Sequence, residues 1–217
     1  MQLMVLIAAV AAVLILGHAQ LTGRSLRKVE FRLLGLVPAA AIPQLLAFYI
    51  PATRVWVPDL LAPVILVWSQ LVLLGFVALN LRRPGMPLLG LGLAMNFVVI
   101  LTNGGMMPVS PQTASRLSSM DWAAGARFGL GKSVVLPTQT TIFGSLSDRI
   151  MLPEWFPYQA AYSIGDVLLI AGVLVLLWAM THGGKQLSQS LQGPGQTEAH
   201  VARVRPVPDF GPQQIGG

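Results

Sequence analysis

LLGLGLAMNFVVILTNGGMMPVS, residues 88–110, is an apolar run of helix length that carries a single amide, Asn96. It breaks at Asn103-Gly104-Gly105 and departs through Met106-Met107-Pro108. Gly90 and Gly92 allow close backbone approach, and Gly104 or Gly105 supplies the left-handed residue that closes a helix. The stretch therefore reads as a membrane span, Met86–Thr102, with its exit. A tight basic turn, Asn80–Gly85, precedes it, and before that comes another apolar run, Leu60–Leu79, with Ser69 and Gln70 in its middle. Together these two runs form a membrane hairpin.

A matching hairpin lies upstream. Met1–Gly17 is almost wholly apolar, and His18–Leu21 extend it past the roughly 17 residues a span needs at minimum. Its cations follow the apolar run, which favours a retained anchor over a cleaved signal peptide. Leu33–Ile50 is the second span. Pro38 and Pro43 favour a kink within it, and Gln44 stands beside the second proline. The fifth span opens at Ser163-Ile164-Gly165-Asp166, which has capping-box form, with the serine accepting an early N–H and the carboxylate reaching back.

The expected fold class is an all-α membrane protein with five transmembrane helices and a small external segment between helices four and five. Residues 1–102 make the four-helix membrane region, 103–160 the external segment, 161–182 the fifth helix, and 183–217 a disordered Gly/Pro-rich cytoplasmic tail. Within the external segment, Ser110-Pro111 marks a helix start and Gln112–Leu117 a short helix. Lys132–Leu136 and Thr138–Phe143 read equally as strand or loop, and Trp155–Tyr162 as an aromatic shelf at headgroup level.

Composition agrees: 54% of the 217 residues are hydrophobic and only 10% charged, far from the soluble norm of about 25%. The absence of cysteine excludes disulfides and thiolate chemistry. The net charge of +6 does not indicate nucleic acid, because the basic residues flank apolar runs. Arg24, Arg27, Lys28 and Arg32, with Arg82 and Arg83, oppose Arg54 alone in the short links. Long links translocate largely regardless of charge, so the N-terminus is expected outside and the C-terminus in the cytoplasm. The first four of these cations are expected to meet anionic headgroups.

Asn96 with NGGMMPVS (103–110), TQTTIFGSLSDRIMLP (138–153) and YSIGDVLLIAGV (162–173) resemble an uncharacterised family of small bacterial multi-pass membrane proteins, known only as a domain of unknown function. The resemblance covers roughly residues 1–180 and implies a bacterial plasma membrane location. It brings no reaction. At the position of Met106 that family's pattern commonly has a basic residue, so a reading that needs a cation at this turn does not transfer.

On this topology His18, His182 and His200 all face the cytoplasm, and the external segment has neither His nor Cys. A Ser-His-Asp triad or a histidine metal site cannot be built there from one chain. Asp148-Arg149 reads as a structural ion pair or as solvated, and Lys132 as one half of a Ser/Lys dyad. Gly129-Leu130-Gly131-Lys132-Ser133 ends like a P-loop but lacks its first glycine. No catalytic residue, cofactor or metal is assigned.

The candidate functional or packing residues are Gln44, Gln70, Asn96, Asn103, Gly104, Gly105, Met107, Pro108, Asp148, Ser163, Gly165 and Asp166. The leading expectation is an integral membrane scaffold or accessory protein that binds a membrane-protein partner or a second copy of itself. The alternatives are a small oligomeric channel or carrier along a Gln70/Asn96 seam and a membrane-edge enzyme using external carboxylates. Asn103 and Ser163–Asp166 are expected to meet at one depth, at the base of the external segment.

Overall fold

The structure, a computed structural model, describes residues 29–118, 120–129, 131–153, 155 and 159–182, with Gly17 and Leu21. The expected first span, the cations Arg24, Arg27 and Lys28, most of the aromatic stretch 154–158 and the tail from residue 183 lie outside the described residues.

Helix α1, Leu36–Gln44, carries Pro38 in its first turn, where a missing N–H costs nothing, and Pro43 inside. Pro43 cannot donate to the turn below it. The ladder then widens into a π-helical turn, Leu45–Tyr49, closed by the Ile50 N–H donating to Leu45 O at 3.1 Å. After one further helical turn, Pro51–Arg54, helix α2 runs from Leu61 to Leu79. The Asn80 amide stitches its end to the start of α1: it accepts from Arg32 N at 2.8 Å and donates to Arg32 O at 3.0 Å and Phe76 O at 2.8 Å. Helix α3, Met86–Thr102, follows directly, entered through Gly85 in the left-handed conformation.

Beyond α3 the chain turns through Gly104 and Gly105, both at positive φ. Gly105 also lies against Pro63, leaving no room for a side chain. Strand β1, Met107–Val109, is buried throughout, with Met107 packed among Phe48, Leu66, Val99 and Ile100 and Val109 against Ala114 and Val135. Helix α4, Pro111–Ser118, is capped by Ser110, whose Oγ accepts from Thr113 N at 3.1 Å. Strands β2, Arg127–Phe128, and β3, Ser133–Val135, complete a sheet of order β1-β3-β2, with β1 parallel and β2 antiparallel to β3. Residues 138–143 are turns and irregular chain. A second pair, β4 (Ile150–Met151) and β5 (Ala161–Tyr162), leads into helix α5, Ile164–His182.

The chain is mostly helical, but the expected all-α class needs a correction. Short strands are present. Among the described residues two helices, Leu61–Leu79 and Ile164–Thr181, are long and apolar enough to cross a membrane. Leu36–Tyr49 and Met86–Thr102 are shorter apolar helices. At 1.5 Å per residue they rise about 21 Å and 26 Å, against a hydrocarbon core of about 30 Å. The physical cause is at their ends: Ile50-Pro51 stops the first, and the Gly85 turn and the Asn-Gly-Gly break bound the second.

Helices α3 and α5 form the most extensive helix contact, antiparallel and built on glycine. A methyl group added at Gly92 would lie 2.6 Å from Gly165 O, and one at Gly172 would lie 2.9 Å from Gly85 O. These pairs fix the offset of the two helices. The start of α5 stands level with Asn96, not with Asn103, seven residues and about 10 Å deeper along α3. The described residues between 103 and 163 therefore form a cap that folds back into the mouth of the bundle instead of standing above it.

Candidate functional site

The capping box at the start of α5 closes as the sequence indicates. Asp166 N donates to Ser163 Oγ at 3.0 Å, and Ser163 N donates to Asp166 Oδ2 at 3.2 Å. What adds to it comes from another helix: Ser163 Oγ donates to Asn96 Oδ1 at 2.9 Å, while Asn96 Nδ2 donates to Asp166 Oδ1 at 3.0 Å. Gly165 makes this possible, since a methyl group there would collide with the Asn96 amide. Asn96, Ser163, Gly165 and Asp166 are thus one unit.

Asn103 does not join it. Its amide clasps the backbone of Ile142 instead, accepting from Ile142 N at 3.0 Å and donating to Ile142 O at 2.9 Å, with a further bond to Val99 O. Gly104 and Gly105 shape this turn, and Met107 and Pro108 are buried beneath it. The expected meeting of Asn103 with Ser163–Asp166 is therefore corrected, because the α3–α5 offset places Asn96 there.

Lys132, just ahead of β3, completes the cluster. Its Nζ lies 3.9 Å from Asp166 Oδ1, and its side chain is only 13% exposed. Asp148 is held from the other side by a bridge to Val109, and its Oδ2 accepts from Ser133 Oγ at 3.2 Å. The Asp148-Arg149 ion pair does not form. Asp148 is buried beside the cavity and Arg149 is exposed. Burial pushes the Asp148 carboxyl up to about 7, with Lys132 opposing and Asp166 adding to the shift. Burial alone would lower the Lys132 ammonium, but Asp166 and Asp148 outweigh it and hold it above its usual value. A Ser/Lys dyad needs the reverse, a lysine with a lowered pKa.

These groups line a cavity of about 590 Å³ between α1, α2, α3, α5 and the cap. Gln44 and Gln70 reach it from α1 and α2, and Leu93, Leu169, Ile170 and Val173 give it apolar walls. Gln44 Nε2 also donates to Ser69 Oγ. Gln70 Oε1 and Asp148 Oδ1 are buried without a hydrogen-bond partner among the described residues. Elsewhere Arg127 ties the cap to the α1–α2 link, with Nη1 2.6 Å from Asp59 Oδ1 and its guanidinium over the Phe48 ring. Among the described residues no three His, Cys, Asp or Glu side chains gather as metal ligands.

Lys132, read from the sequence only as half of a dyad, and Ser133 pair with carboxylates that sequence reasoning did not connect to them. The signal was present, one cation in an otherwise apolar and β-branched run, but the partners stand 15 to 34 residues away in sequence and no local spacing pairs them.

Fold and site together define a small bundle of apolar helices, closed at one end by a β-containing cap, with a charged cavity where the two meet. The model of a Family of unknown function (DUF5317) matches residues 28–178, more than half of the chain, and the chain belongs to that family. No curated protein and no solved structure matches it.

Proposed function

We propose that the chain crosses the membrane five times, N-terminus outside and C-terminus in the cytoplasm, and acts as a non-catalytic binding or accessory protein whose cavity holds a small ligand. The topology is supported by exposed apolar residues on every long helix, among them Leu46, Val64, Leu101 and Val175, the surface a lipid environment requires. The cation bias of the short links gives the orientation.

The observation that carries the binding reading is the cavity itself. It combines apolar walls with a few convergent polar groups, and its volume falls in the range of small-molecule sites, about 300–1,000 Å³. Unmet acceptors inside it are unfavourable without a ligand or water. The channel alternative is less well supported, because both ends of the Asn96 amide are already bonded within one chain.

Native mass spectrometry of protein extracted in mild non-ionic detergent tests the reading. A small molecule should remain on the wild type and be lost from Ile170→Trp, which fills the cavity, at unchanged secondary structure. Equal retention by both would remove the cavity from the account. A protein partner in fixed ratio with no small molecule would favour a scaffold.

A further inference from the structure

We propose that the ligand of this cavity is an organic ammonium carried on an apolar body. The inference rests on the binding reading above and deepens it. Three ionisable side chains face the cavity floor, and when all are ionised they do not balance: Lys132 stands against two carboxylates, Asp166 and Asp148.

The bonding inventory shows which acceptors are in use. Asp166 has both oxygens engaged, Oδ1 with Asn96 and Lys132, Oδ2 with Ser163 N. Asp148 has only Oδ2 engaged, by Ser133. Its Oδ1 and the Oε1 of Gln70 are left, on residues each 6% exposed. Two buried acceptors, one of them on a surplus carboxylate, call for a ligand that donates hydrogen bonds and carries positive charge.

A primary ammonium has three N–H donors and one charge. A carboxylate or phosphate ligand would bring a second anion beside Asp148, and a neutral alcohol would leave the charge uncompensated. Calcium and magnesium take six or more oxygens in a tight shell and zinc four close ligands, whereas the acceptors here are spread over the cap and α2. The leucine, isoleucine and valine side chains of α3 and α5 supply the wall for carbon.

The test is calorimetric titration of the full chain in non-ionic detergent with hexylammonium, hexanol and hexanoate, which share one carbon chain. Hexylammonium should bind about tenfold or more tighter than hexanol, the difference one charge-assisted hydrogen bond supplies. Asp148→Asn should erase that preference. Lys132→Gln, which removes the competing cation, should tighten hexylammonium binding, a gain that misfolding cannot imitate.

Equal or tighter binding of hexanol or hexanoate by the wild type would overturn the ammonium assignment while leaving the cavity as a binding site. Failure of all three ligands to bind would overturn the binding reading as well. The same ammonium can belong to a soluble amine or to a lipid headgroup. In phosphatidylglycerol nanodiscs, weaker hexylammonium binding on adding phosphatidylethanolamine identifies the headgroup, and unchanged binding identifies the soluble amine.

Discussion

Asp148 sits with one oxygen on Ser133 and the other unmet, in a pocket whose remaining titratable groups are Lys132, Asp166, Tyr49 and Tyr162. Its folded value of about 7 lies above the ordinary 3.8. The folded protein therefore holds this proton more tightly than the unfolded chain, and stability is lost as pH rises from about 4 through 7. Without ligand, Asp148→Asn should unfold at higher temperature than the wild type at pH 8, with the difference vanishing towards pH 4. Each kcal/mol relieved raises Tm by about 2–4 °C for a chain of this size, and thermal melts at the two pH values check it. A lower Tm for the variant at pH 8 would mean that the ionised carboxylate is stabilising. Asn96 is a different kind of polar residue, satisfied on both sides. Asn96→Leu removes its bonds to Ser163 and Asp166 and should cost about 1–2 kcal/mol in a denaturation titration in mixed micelles. Sequence spacing revealed the capping residues Ser110, Ser163 and Asp166, because a cap is a three-residue event. It could not reveal that Asn96 meets residues about seventy positions away, since nothing local encodes that contact.

The helices owe their arrangement to glycines that the apolar pattern alone does not separate. Gly90 and Gly92 are equal in sequence, yet Gly90 faces Val77 of α2 and Gly92 faces Gly165 of α5. Glycines seven apart at the entry and within α3 (Gly85, Gly92) and on α5 (Gly165, Gly172) draw the two backbones together, the close approach that dispersion and weak C–H···O contacts reward in a membrane. Gly165→Ala should therefore loosen α3 from α5 and release the Asn96 amide from Ser163. Gly75→Ala, also helical but with open space around it, should be neutral or slightly stabilising through helix propensity. Parallel melts of the two variants measure this, and equal effects would show that close packing at Gly165 contributes nothing. The apolar helices were legible because long runs of one character leave few alternatives. The strands were not, because two or three residues such as Ser133–Val135 are too short for any alternation to register, and their pairing comes from the cap's packing on the bundle.

The offset between α3 and α5 sets where the cavity stands in the molecule. If the basic Arg82-Arg83 turn marks the cytoplasmic boundary, Asn96 and the start of α5 lie some 16 Å above it, near the middle of a hydrocarbon core of about 30 Å. Irregular backbone at that depth is tolerable only when covered by protein or wet from one side, and the buried β1 strand and the charged cavity meet those two conditions. The chain has no native cysteine, so single cysteines can report its position. Ser145→Cys on the cap should react with a membrane-impermeant maleimide in intact cells, and Arg83→Cys only after permeabilisation. A fluorophore on Val167→Cys, an exposed apolar position one turn into α5, should be quenched more by lipids brominated deep in the acyl chain than by lipids brominated near the headgroup. An α5 that began at the membrane surface would reverse that order, and the cap would then stand wholly outside the bilayer with its cavity open to water.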